Sequence, residues 1–246
     1  GGALMGPLLT LSLRQMAGKW RLIIILVLVA LPVGLSVLLH ALMGDDDEFV
    51  EAFPQLIFDG MLIGVIMPIV IMTLATAAFG NEVEDRTLNV LVLKPVPRYA
   101  IVMPKLLASM IVGGSLLVVA AVAIVVIALG EGGATAAIAA AVAVATGVVT
   151  YAALFTWMGL ISAKALGFAL VYVFLWEQFL TRFISGIKYF SVREYSLSIL
   201  NQLDGTTFGV FESRVIEIEA AVTGAAIVTV LFIALTIRRL QRMDVP

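Results

Sequence analysis

Five stretches of this chain carry no charged side chain at all: Leu22–Leu39, Met61–Phe79, Leu106–Leu129, Ala134–Ala163 and Ala220–Ile237. A helix needs about 20 mostly apolar residues to cross the hydrocarbon core of a bilayer. Within lipid, only helices and closed barrels satisfy every backbone polar group. Runs of this length are too long for membrane strands, so they predict spanning helices. A sixth apolar run, Ala165–Thr181, is shorter and carries one acid, Glu177. The fold class expected is therefore all-α: a polytopic membrane protein with six transmembrane helices in a single domain covering residues 1–246. The first run is too long for a removable signal peptide, and no small-residue cleavage site follows it.

Composition agrees. Of 246 residues, 62% are hydrophobic and 13% charged, where soluble domains are nearer half and a quarter. Net charge is −2, which gives no basic footprint for nucleic acid. There is no cysteine and only one histidine, so thiolate metal sites, disulfides and His-rich sites are excluded. Pro32, Gly34, Pro68, Gly113, Gly114 and Gly147 fall inside the apolar runs. In a bundle such residues serve as kinks and close-packing positions. Gly60 and Gly64 share the spacing of a helix-approach motif.

Orientation follows from the loops. With the N-terminus inside, eleven Lys and Arg residues fall on inner segments and four on outer ones. The first outer loop instead holds Asp45, Asp46, Asp47, Glu48 and Glu51. The positive-inside bias places both termini in the cytoplasm, and the expected location is the cell membrane of a prokaryote.

Three segments outside the spans have character of their own. Residues 4–20 place Leu8, Leu9, Leu11, Met16 and Trp20 among Arg14 and Lys19, which predicts a helix lying on the inner surface. Between the second and third spans the chain reads Gly-Asn-Glu-Val-Glu-Asp-Arg-Thr-Leu-Asn-Val-Leu-Val-Leu-Lys-Pro from Gly80 to Pro95. Gly80 is expected to end the second span, and Asn81 with Glu84 has the spacing of a capping box. Val83, Thr87, Val90 and Leu91 then fall on one face, opposite Glu82, Glu84, Asp85, Arg86 and Asn89. An amphipathic helix over about 81–93 is predicted, stopped by Pro95. A plain turn needs only a few residues, so this segment reads as a surface built to touch a partner. In the third segment, outer residues 182–217, Ser191 and Glu194 form a second capping box. Tyr195, Ile199, Leu200 and Leu203 follow on an apolar side, and Phe183, Tyr189, Phe190, Phe208 and Phe211 favour the membrane interface. Short helices capping the bundle from outside are expected there.

Catalytic signatures are missing. No Walker A loop, H-E-x-x-H, G-x-S-x-G or C-x-x-C occurs. Ionisable residues inside spans are the usual functional pointers. Here Glu177 alone stands inside an apolar run, near its outer end, where a hydrogen bond or salt bridge with Arg182 or another outer base is its expected role. A proton-driven pump would need a buried relay, so the drive for any transport is expected from elsewhere.

The run from Glu82 to Arg98, with its Thr-Leu, Val-Leu and Lys-Pro-Val-Pro-Arg steps and the following Lys105-Leu-Leu, resembles the signature of permease subunits of type-2 ATP-binding-cassette exporters. Arg86 and Pro104 replace glycines often found there. Trp176-Glu-Gln-Phe and the stretch Ile187–Tyr195 are similar to the region after the fifth span in one branch of that family. The resemblance implies a membrane-spanning subunit that pairs with a second permease copy, as homodimer or with a close homologue. It also implies two separate ATPase subunits, which would carry the ATP and magnesium; no cofactor is expected in this chain, and no enzymatic activity. The helix after the second span would be the coupling helix. Glu82, Glu84, Asp85, Arg86 and Thr87 would lie on its contact surface, and Lys94, Pro95 and Arg98 at its exit turn. The substrate path would run at the dimer interface along Met61–Phe79 and Ala165–Thr181, on faces that sequence leaves open. An ATP-independent transporter or channel, and a scaffold that passes ATPase motion to an outer partner, remain alternatives.

Overall fold

The computed structural model describes residues 6, 9–13, 18–43, 53–84, 97–162, 164–212 and 215–242. Among them the fold is all-helical. Five helices are long and apolar enough to cross a membrane, and Ala165–Leu180 is a shorter apolar helix. We label them in chain order. Helix α1 is Lys19–Met43. Helix α2 opens with wide π-type turns over Pro54–Ile66 and runs on without a break through Met67–Glu84. Helix α3 is Tyr99–Leu129, α4 is Ala134–Ile161 and α5 is Ala165–Leu180. Two short helices follow, α6 at Val192–Leu203 and α7 at Gly205–Phe208, before the last long helix, α8, at Ile218–Gln241. Residues 6 and 9–13 are also helical, with Leu9 and Leu13 packed on the core; of the surface helix expected over 4–20, Gly18 is not helical, Lys19 and Trp20 belong to α1, and residues 4, 5, 7, 8 and 14–17 lie outside the described residues.

Helix α4 is the hub. It packs against α2, α3, α6 and α8. Its sequence explains why: Ala136, Ala139, Ala140, Ala143 and Gly147 form a small-residue surface at helical spacing, and all are buried. Small side chains let helices approach closely where lipid supplies no hydrophobic drive. Two glycines show the closeness. A Cβ on Gly147 would sit 2.6 Å from Met67 Cε of α2 and 2.5 Å from Ser196 Oγ of α6. A Cβ on Gly159 would run into the Thr76 carbonyl of α2.

Helix α2 differs from the sequence expectation at both ends. It begins at Pro54, with proline at its first turn, where the missing N–H is not needed. This start brings Asp59 inside the helix, so Glu177 is not the lone acid of the apolar helices. At the other end the helix passes straight through Gly80 to Glu84. Gly80 is therefore no stop, and Asn81 and Glu84 lie within α2 rather than framing a new helix start. Glycine permits a left-handed turn but does not impose one, and a tie between Glu82 and α3, described below, holds the last turn in place.

Helix α6 also differs. It is buried from Val192 to Asn201, and the contact of Ser196 with Gly147 puts it beside the middle of α4. It is a helix inserted into the bundle, not a lid over it. Such an insertion needs every polar group satisfied by protein. Ser191 caps it, accepting from Glu194 N at 3.2 Å. Ser198 Oγ donates to Glu194 O and accepts from Ile216 N, and Asn201 Nδ2 donates to Phe208 O at 2.9 Å. Phe208 and Phe211 are buried, with Phe208 edge-on to Phe53 and Phe58, while Phe183, Tyr189 and Phe190 face outward.

Candidate functional site

Three elements meet around one buried arginine. The wide turns of α2 carry Asp59, those of α5 carry Glu177 and Gln178, and the first turn of α6 carries Arg193. Arg193 is 1% exposed, Asp59 4% and Glu177 0%. The Arg193 guanidinium donates from Nε to Asp59 Oδ1 at 2.8 Å, and Nη2 donates to the same oxygen. Its Nη1 reaches Gln178 Oε1 at 3.2 Å and the Glu177 carbonyl at 3.5 Å. Gln178 Nε2 donates onward to Gly64 O of α2. The rigid guanidinium fork suits this role, since its donors point in fixed directions toward two helices at once.

Glu177 answers a different need. The start of α6 presents free backbone N–H groups at the positive end of its dipole. Glu177 accepts from Val192 N at 3.0 Å and Arg193 N at 3.3 Å. Tyr172 Oη donates to it at 2.7 Å, and Ser191 Oγ donates to its other oxygen. Two donors thus serve each carboxylate oxygen, and the acid anchors the head of α6 to α5. Arg193 touches Glu177 through backbone atoms; its side-chain charge is matched by Asp59. The Arg182 side chain lies outside the described residues.

A second polar cluster sits at the opposite end of α2. Lys105 of α3 forms an ion pair with Glu82 and donates to Ala78 O. Its ammonium lies 4.5 Å from the centre of the Phe79 ring. The segment between α2 and α3 therefore leaves and returns at a base fastened by one lysine. Of the residues expected in the partner-contact helix, Glu82 is placed here, Glu84 is described by its backbone alone, and Asp85, Arg86, Thr87, Lys94 and Pro95 lie outside the described residues. Arg98 precedes α3, and its carbonyl accepts from Ile101 N and Val102 N.

Sequence reasoning passed over Asp59 and the pairing roles of Arg193 and Lys105. Asp59 had one usable signal: Pro54 marks a helix start five residues before it. The other two pairings join residues far apart in the chain and leave no local trace.

The two clusters stand at the two ends of an otherwise apolar bundle. They can hold helices in register, but neither forms a nucleophile–base pair or a cluster of metal ligands among the described residues. Comparison with known proteins supplies the context. A family model described as ABC-2 family transporter protein matches residues 17–190. No curated protein matches the chain.

Proposed function

This chain belongs to the ABC-2 transporter family, and we propose from that membership that it is the membrane subunit of an exporter in which two copies enclose the substrate path and separate ATPase subunits drive it. The observation that carries this reading is the fastened base at Lys105 and Glu82. A segment that receives a push from an ATPase must pass it to the helices, and a buried lysine gripping the last turn of α2 supports such a link. In this reading, the segment that leaves the last turn of α2, residues 85–93, seats on the ATPase, and Glu84, Asp85 and Arg86 at its head fix the register of that contact.

The path would follow the one face of α2 that its own subunit leaves partly uncovered. Met61, Val65, Ile69, Thr73, Ala77 and Gly80 form that stripe, spaced about one turn apart. It is apolar in effect, because the Thr73 hydroxyl donates to Ile69 O at 2.7 Å. An apolar stripe supports a hydrophobic cargo. At the other end, Arg193 ties α2, α5 and α6 into one body, so the plug formed by α6 would move with the path helices.

The test is direct. The tagged chain, purified in mild detergent from its native membranes, should bring down a stoichiometric Walker A protein with ATPase activity. Reversing the charges at Glu84 and Arg86 should leave hydrolysis running and abolish its coupling to export. Unaltered export by that variant would defeat the proposal.

A further inference from the structure

Tyr151 of α4 takes no part in the bonding described above. It is shut away from solvent, and its hydroxyl completes a hydrogen bond to no protein atom. A buried hydroxyl left in that condition is costly and calls for a reason. Its ring is fixed by stacking on Phe155 at 5.4 Å, and Phe155 meets the Tyr172 ring of α5 edge-on at 6.2 Å. The hydroxyl stands within electrostatic reach of Glu177. Two tyrosines therefore flank this acid, and only Tyr172 is bonded to it.

That bond depends on an unusual backbone. Tyr172 and Glu177 are five residues apart, yet their side chains meet at 2.7 Å. In an α-helix this separation turns two side chains about 140° from each other. They meet because α5 runs in wide turns over Tyr172–Leu180. Such turns are rare and collect at functional sites.

The two halves of α5 are held unequally. From Trp176 onward the tethers are many. Trp176 Nε1 donates to Phe190 O at 3.2 Å, Glu177 holds the head of α6, and Gln178 donates to Gly64 O. From Ala165 to Leu175, the bond of Tyr172 to Glu177 is the one side-chain hydrogen bond among the described residues. Ala165, Ala169 and Val173 are the buried positions there, so this half rests on a thin contact.

We propose that α5 is a two-state helix and that Tyr151 is the reserve partner of Glu177. In the state seen here, Tyr172 donates to Glu177 and the Tyr151 hydroxyl is left over. When the wide turns tighten to α-helical ones, Tyr172 swings off the carboxylate and Tyr151 donates in its place. Each state makes one tyrosine bond and forgoes the other, so the exchange is close to balanced and a modest bias tips it. Glu177 keeps its donors from α6 throughout. What turns is the half of α5 that carries Leu166, Phe168 and Val171. The switch stands on this chain alone; its use in turning one wall of the substrate path rests on the exporter reading above.

The chain has no cysteine of its own. Phe168→Cys on α5 and Val230→Cys on α8, both exposed, can therefore carry a pair of spin labels. Distances between them are measured in lipid nanodiscs, with labelled chain diluted into unlabelled chain. The parent should give a dominant and a minor distance. Tyr172→Phe should raise the minor one about fivefold relative to the dominant one, the factor that one lost hydrogen bond supplies. Tyr151→Phe should do the reverse, and the double variant should return near the parent. Tyr151→Phe should also leave the unfolding midpoint unchanged or raise it. A lower midpoint would show that ordered water already serves the hydroxyl, and would overturn the proposal. Distances that ignore both variants, or move the same way in both, would overturn it too. In the complex with its ATPase, Tyr151→Phe should slow export. Shifted distances with export unchanged would overturn the transport role and leave the switch standing, which keeps the two readings apart.

Discussion

Arg193 sets two of its guanidinium nitrogens on a single oxygen of Asp59, a residue 134 positions earlier in the chain. The pair joins the inserted helix α6 to the first turns of α2, and both side chains are almost wholly shut away from solvent. A buried ion pair adds little net stability when compared with well-packed apolar residues, but breaking it by removing one partner strands the other charge.

Arg193→Gln should therefore destabilise the protein by about 3–5 kcal/mol, as expected for an uncompensated buried charge. Asp59→Asn should act in the same direction. The double variant Asp59→Leu/Arg193→Leu should recover much of the loss, because neither charge is then buried. Unfolding midpoints of the purified proteins in one detergent close this cycle. A double variant no better than the sum of the singles would show that the two residues act separately.

How much of this was open to the sequence depends on how local each feature is. The charge-free runs announced the long helices because hydrocarbon length and backbone satisfaction leave few alternatives. Ser191 and Glu194 disclosed the cap of α6 because the hydrogen bond spans only three residues. The burial of that helix was not legible. Val192–Leu203 contains Arg193, Glu194 and Asn201 and reads as surface until Asp59, Glu177 and Phe208 are brought to it from elsewhere. Asp59 was lost for a related reason: an apolar window naturally starts after a charge, and so it hid the acid that the helix includes. Gly80 shows the converse. A residue permitted to end a helix does so only when nothing downstream holds the next turn, and here Lys105 holds it.

Lys105→Gln should release the last turn of α2 without unfolding the bundle. The lysine loses its ion pair with Glu82, its bond to Ala78 O and its contact with the Phe79 ring. Glu82 is partly solvated, so its isolation costs less than that of Asp59. Backbone amide exchange should rise at residues 80–84 and stay unchanged in α6. Uniform exchange across both regions would mean that the lysine has only a global stabilising role.

Gly159→Ala should lower the unfolding midpoint, because its Cβ would meet the Thr76 backbone, which has no rotamer through which to yield. Gly167→Ala in α5 is the control. Nothing lies within 4 Å of a Cβ there, so alanine should be neutral or add about 0.5–1 kcal/mol through reduced backbone freedom. If both alanines behave alike, the close approach of α4 to α2 does not depend on Gly159.

Asp204 offers a prediction in pH. It caps α7, accepting from Thr207 N at 3.2 Å, with Thr206 Oγ1 and Thr207 Oγ1 also donating to its carboxylate. Burial raises its pKa, but these donors together outweigh burial and hold it below the usual 3.8. A carboxyl depressed by folding stabilises the fold above its unfolded value, and that contribution fades as pH falls through the folded value. The cap should therefore act fully near neutrality and begin to fade only below about pH 4. Asp204→Ala should cost about 1 kcal/mol at pH 7 and progressively less as the pH falls through the depressed value of the folded carboxyl. Unfolding midpoints of the two proteins should thus converge on acidification, and a constant gap between them would show that the aspartate contributes by packing instead of by its charge.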